Sequence, residues 1–294
     1  MTSSKSSILL ALLAILLWSF LALMSSTINH VPSLLAVGIA LSISGIASLF
    51  TVKEWRVPLK TYLVGLWGIF GYHFLYFSAF HYAPPIEVSL MNYLWPLLIV
   101  ILSPLFLPEF NIRPQHMLGA LLGLCGAAVI VTGGQKLNFE LNNLPGYFLA
   151  ACAAFVWSTY SLMTKKVPRF STKAVGGFCL GSGILSLFSY FVTQHSLDPL
   201  YALQINEWLI LIGLGLGPMG LAFFAWDGSL KAGDPRIIGA LSYLTPLLST
   251  SWLVLFGSGT LSYTSLFAMI LIVSGAIIGS WELFFPNKTL SSSI

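Results

Sequence analysis

Long stretches of this chain carry no charge, and their lengths are those of membrane spans. No Asp, Glu, Lys or Arg occurs between Ser6 and Val52. Further uncharged runs cover 61–86, 88–108, 114–135, 141–164, 174–197, 208–226 and 237–281. A helix needs about 20 mostly apolar residues to cross the hydrocarbon core. The first run is long enough for two helices with a turn at 29–33, and the last for two with a break at 257–262. The pattern predicts ten helices, at 7–28, 33–52, 61–81, 84–107, 115–134, 145–165, 173–194, 207–227, 236–256 and 263–284. Barrel strands alternate apolar and polar residues. These runs are apolar on every face, so the predicted fold is an all-α integral membrane protein.

Composition sharpens this reading. Charged residues make up 7 % of the 294 and apolar ones 57 %, whereas soluble domains run near a quarter charged. An ordinary cytosolic enzyme, a disordered protein and a nucleic-acid binder are excluded. Lipid is the expected environment. Cys125, Cys152 and Cys179 all lie in apolar runs. Their odd number and spacing predict neither a disulfide framework nor a metal site, and no cofactor is expected.

Charge also gives an orientation. On the ten-helix count, one side holds Lys5, Lys53, Arg56, Lys60, Arg113, Lys165, Lys166, Arg169, Lys173, Lys231, Arg236 and Lys288, which is twelve of the thirteen Lys and Arg. Only Lys136 falls on the other. Positive residues stay inside, so both termini are expected in the cytoplasm.

The chain repeats itself. Residues 18–24 and 157–163 share W-S-x-x-x-L-M, in helices one and six. Residues 93–98 and 243–248 share Y-L-x-P-L-L, in helices four and nine. Pro85 and Pro235 stand at the same offset of 150, and Gly126-Ala127 recurs as Gly275-Ala276 in helices five and ten. Three ordered matches five helices apart predict two homologous halves, 1–137 and 138–294, within one membrane domain. An odd number of spans per half makes the repeat inverted, as in many secondary transporters with a midplane site. Recurrence of its motif also predicts that the first helix is retained and is not a cleaved leader.

With these features the chain resembles the drug/metabolite transporter superfamily, EamA type, over nearly its whole length. Residues 93–98 and 225–250 look closest to bacterial aromatic amino acid exporters of the YddG type. The resemblance implies a multi-pass exporter in the bacterial inner membrane, with a central cavity and alternating access.

Candidate site residues follow from depth and face. Trp18 and Trp157 lie near mid-depth, away from the interfaces where Trp55, Tyr62, Trp208, Tyr263 and Trp281 form the usual aromatic belt. They either line a cavity or pack helices. Tyr72, His73 and Tyr76 share one face of helix three, a costly face to turn to lipid. Ser89, Asn92, Tyr93 and Pro96 share a face of helix four, and Gly239, Ser242, Tyr243 and Pro246 occupy the corresponding places in helix nine. Mid-helix proline removes a backbone bond, so Pro96 and Pro246 are candidate hinges, with the carbonyls of Asn92 and Ser242 freed. The substrate-binding set is therefore Trp18, Tyr72, His73, Tyr76, Asn92, Tyr93, Trp95, Trp157, Ser242 and Tyr243. Glu87 is expected to stabilise a helix start, and Asp227 to lie in a surface ion-pair cluster. Glycine pairs such as Gly119/Gly123 and Gly275/Gly279 suit close helix packing.

The residues suit a zwitterionic or amphipathic solute with a large apolar part, most readily an aromatic amino acid. They would also suit a hydrophobic cation or drug, and uncoupled facilitation stays open. A membrane enzyme is a distant alternative, because no H-E-x-x-H, G-x-S-x-G or paired mid-depth acid is present. The only partners expected are a small molecule and the bilayer.

Overall fold

The computed structural model describes residues 2–136, 139–256 and 262–284, which are helical with no strand among them. Among the described residues, seven helices are long and apolar enough to cross a membrane, or up to eight if one bent pair counts as a span. Labels follow chain order. α1 is Lys5–Ser26 and α2 is Ser33–Ala47. α3 runs from Leu59–Leu66 through a π turn at Trp67–Gly71 into Tyr72–Ala79. α4 is Pro85–Phe106, α5 Pro114–Thr132, α6 Leu141–Met163, α7 Thr172–Gln194, α8 Ile205–Ala232, α9 Pro235–Leu255 and α10 the shorter Tyr263–Gly279. The predicted division at 137/138 and most of the predicted break at 257–262 lie outside the described residues, as does Lys288.

Helix two ends earlier than the apolar run suggests. After Ala47 the chain turns by 85° into a 3-10 segment, Leu49–Trp55. Ser48 Oγ donates to the Gly45 carbonyl at 2.9 Å and Thr51 Oγ1 to the Ser48 carbonyl at 2.8 Å. Such hydroxyl bonds offer the backbone an alternative to the helical ladder.

Two irregularities recur at one spacing. The π turns of α3 (Trp67–Gly71) and α8 (Gly217–Leu221) are 150 residues apart. The breaks of α4 and α9 are likewise related: the α-helix gives way to a turn at Tyr93 in α4, with ψ of 2°, and at Ser242 and Tyr243 in α9. The break therefore precedes the proline by three residues. Pro96 and Pro246 occupy the third position of the helical segment that follows. There a missing N–H costs nothing, because first-turn N–H groups have no intrahelical acceptor. Nor is the Ser242 carbonyl freed, since it accepts the Thr245 N–H at 3.0 Å. Pro104 does lie inside a helix. The carbonyl it deprives, that of Val100, is satisfied by Ser103 Oγ at 2.8 Å, which is how lipid-embedded helices tolerate proline.

Packing follows small residues. α5 lies along α10 and α7 along α2. A Cβ on Gly119 would stand 2.5 Å from the Gly279 backbone, and one on Gly275 would stand 2.7 Å from the Gly119 carbonyl oxygen. α1 packs on α8 and α9, while α6 packs on α3 and α4.

Gly119→Ala should lower stability by about 1–3 kcal/mol, the usual penalty of overpacking, because backbone on both sides must move. Gly71→Ala, whose new Cβ would meet nothing nearer than 3.6 Å, should leave it unchanged. Thermal unfolding of the purified protein in detergent checks both.

Candidate functional site

Aromatic rings from four helices meet in the middle of the molecule. Trp18 of α1 lies 5.1 Å from Trp226 of α8, 5.7 Å from Trp157 of α6 and 6.2 Å from Trp95 of α4, between ring centroids. Trp95 and Trp226 are 5.6 Å apart and edge-on. All four indoles are at most 8 % exposed. Phe223, one turn before Trp226, touches Trp18, Trp157 and His73. Tyr72 of α3 joins through Trp157 at 5.3 Å and stacks on Tyr76 at 5.7 Å with an 8° tilt. Edge-on and offset pairs of this kind contribute about 0.5–1.5 kcal/mol each beyond burial.

Polar groups border this cluster. Asn92 Nδ2 donates to the Tyr72 hydroxyl at 3.1 Å, and the Tyr76 hydroxyl lies 3.4 Å from Ser89 Oγ. These bonds tie α3 to the first segment of α4. Asn92 is buried, and its Oδ1 has no partner among the described residues. His73 Nδ1 sits 2.6 Å from the Ile69 carbonyl oxygen. A carbonyl only accepts, so Nδ1 carries the proton and Nε2 is a bare acceptor in the neutral ring. Of the four indole N–H groups, only that of Trp226 is bonded within the described residues, to Ser161 Oγ at 3.1 Å. Those of Trp18, Trp95 and Trp157 make no such bond. None of the three is among the fully buried atoms left without a partner, so they are donors that a small molecule could still reach.

Eight of the ten residues expected at the site thus fall in or beside one neighbourhood: Trp18, Tyr72, His73, Tyr76, Asn92, Tyr93, Trp95 and Trp157. Tyr93 packs at its border, towards Tyr243. The other two residues stand apart. Tyr243 is fully buried against α5, where a Cβ on Gly123 would come 2.4 Å from its ring, and its hydroxyl donates to the Tyr93 carbonyl at 3.1 Å. It bridges the two helix breaks. Ser242 Oγ donates back to the Ile238 carbonyl at 2.8 Å. Phe223 and Trp226 were missed. The 150 offset that relates Pro85 to Pro235 carries His73 onto Phe223 and Tyr76 onto Trp226, and was the signal available. Two grooves, of about 320 and 670 Å³, run along α2 and α8 and along the flank of α3 and α6, and contain none of these residues.

Below the cluster, two segments exchange lysines. Lys165, just past α6, donates to the carbonyls of Leu230 and Gly233 at 2.6 and 2.8 Å, at the C-terminus of α8. A cation there suits the helix dipole. Lys231 of α8 reaches back to the Phe170 carbonyl at 3.0 Å, lies 3.4 Å from that ring's centroid, and pairs with Asp227 at 2.6 Å. Thr172 Oγ1 donates to the same carboxylate at 2.7 Å. Asp227 is therefore not at the surface as expected: it is 1 % exposed, because α8 continues to Ala232 and the 164–174 connection folds over it. Glu87, in the first turn of α4, accepts the Tyr147 hydroxyl.

The EamA-like transporter family model matches residues 5–132 and again 144–281. The chain belongs to this family. It is 42 % identical to the "Aromatic amino acid exporter YddG" of Ancylobacter novellus, over 95 % of this chain and 98 % of that one. It is 28 % identical to the protein of the same name in Escherichia coli, over 95 % and 97 %. A solved crystal structure at 40 % identity superposes with a TM-score of 0.88, covering 94 % of this chain and 98 % of the other. As an EamA-like transporter with long apolar helices, the protein is a multi-pass component of the bacterial inner membrane.

Trp226→Phe removes one indole from the cluster and leaves Ser161 Oγ without its donor. Loss of a buried hydrogen bond costs about 0.5–1.5 kcal/mol. We expect a lower unfolding temperature with the helical circular dichroism spectrum retained.

Proposed function

We propose that this EamA-like transporter exports aromatic amino acids, or amphipathic solutes like them, by alternating access through the aromatic cluster. One observation carries the reading. The ring cluster is bordered by three indole N–H donors and one amide oxygen that no described residue engages. Rings suit an aromatic side chain, donors a carboxylate and acceptors an ammonium. The names of the relatives agree with this chemistry.

The membrane arrangement proposed is ten spans in two inverted halves, with both termini cytoplasmic. The twelve-to-one split of Lys and Arg supports it. So do the π turns and helix breaks 150 residues apart. The exchanged packing does as well, since α1 on α8 and α9 mirrors α6 on α3 and α4. In this frame the lysine exchange between 165–172 and 227–233 closes the cytoplasmic end. The half-buried Tyr72 and Tyr76 face the outer half. Bending at the paired breaks, beside Pro96 and Pro246, is the proposed hinge, with Tyr243 linking the two.

Purified protein in proteoliposomes should take up labelled tryptophan or phenylalanine. Excess tyrosine should compete and excess aspartate should not; equal competition by aspartate would contradict the reading. Pro96→Ala and Pro246→Ala should each slow transport and leave apparent affinity within a few-fold, because alanine supplies the N–H that would let the helix run on across the break. Wild-type rates in both would remove the hinge. Impermeant thiol reagents should label a cysteine placed at Lys136 or Asp198 from outside intact cells, and one at Lys60 or Arg169 only after permeabilisation. Outside labelling at 169 would overturn the topology.

A further inference from the structure

We infer that the site recognises its substrate chiefly through the ammonium group, so that aromatic primary amines without a carboxylate are substrates too. This rests on the proposed function and goes past it to what the polar groups select. The acceptors are specific. Asn92 Oδ1 is buried and unpartnered while its Nδ2 is committed to the Tyr72 hydroxyl. His73 Nε2 is a second acceptor in the neutral ring, because Nδ1 serves the Ile69 carbonyl. Asn92 bonds Tyr72, whose ring lies 5.3 Å from Trp157, and His73 lies 6.1 Å from Phe223, which touches Trp18 and Trp157; aromatic faces attract cations.

The carboxylate end is poorly provided. Among the described residues, the Lys and Arg side chains seen over aromatic rings lie at Phe106, Phe110 and Phe170, not at the indole cluster. Lys231, the basic residue one turn beyond Trp226, is spent on Asp227, Phe170 and Thr172. A carboxylate would meet neutral indole N–H groups without a counter-charge, and a buried charge so placed recovers little of its desolvation cost. An ammonium meets an acceptor and a cation-attracting cage. Removing the carboxylate removes its cost and leaves the stronger recognition intact.

The test uses wild-type protein in proteoliposomes loaded with unlabelled tryptophan, taking up labelled tryptophan by exchange. Tryptamine keeps the ring and ammonium; N-acetyltryptophan keeps the ring and carboxylate. Tryptamine should inhibit at least as strongly as tryptophan, and N-acetyltryptophan at least tenfold more weakly. Asn92→Leu should weaken tryptamine inhibition at least tenfold, and Asn92→Asp should strengthen it several-fold, since a charged acceptor binds ammonium more tightly. Inhibition by N-acetyltryptophan equal to that by tryptophan, with none by tryptamine, would overturn the inference. It would place the Asn92 amide in the reverse orientation, offering Nδ2 to a carboxylate. If labelled tryptophan is not exchanged at all, the proposed function fails on its own. Equilibrium dialysis of labelled tryptamine with the purified protein then decides the inference: saturable binding lost in Asn92→Leu supports it, and no binding refutes it.

Discussion

Four indoles on four separate helices, in mutual contact at the centre of the molecule, are the feature around which the rest is arranged. Trp18, Trp95, Trp157 and Trp226 can meet only if α1, α4, α6 and α8 converge. Lipid supplies no hydrophobic drive for that convergence, so close packing must. Gly119 and Gly275 let α5 and α10 come together behind α4 and α9. The π turns in α3 and α8 lie one turn before Tyr72 and Phe223. An extra residue in a turn rotates everything after it, and such π turns are common at functional sites.

The same centre governs what can move. α4 breaks at the border of the cluster and α9 at the corresponding place, and the Tyr243 hydroxyl ties one break to the carbonyl of the other. One end is fastened by lysines that cross in both directions between the 164–174 connection and the end of α8. Trp226 and Asp227 are neighbours in the chain, one in the cluster and one in that fastening. A change in ring packing is therefore one residue away from the contacts that fasten this end.

Much of this was legible in the sequence, for identifiable reasons. Trp18 and Trp157 stand far inside apolar runs where belt tryptophans do not occur, and Tyr72, His73 and Tyr76 recur at helical spacing. What escaped was set by local backbone departures that periodicity does not register. Helix two stops at Ser48 because hydroxyls there capture carbonyls. Tyr243 carries the same motif as Tyr93, yet it packs on Gly123. Trp226 and Asp227 fell at the expected end of helix eight, where Asp227 was expected at the surface and Trp226 drew no assignment. The helix in fact continues past them. The pairing of Tyr76 with Trp226 by the repeat was a stronger signal than position along the run.

If the indole cluster with Asn92 holds an aromatic amino acid, its own fluorescence reports that most directly. Phenylalanine does not absorb at 295 nm, so titrating it into the purified protein with excitation there reads the tryptophans alone. A saturable change in emission is expected. It should be lost in Asn92→Leu, and aspartate should not reproduce it. No change on addition of phenylalanine, or the same saturable change with aspartate, would contradict the account.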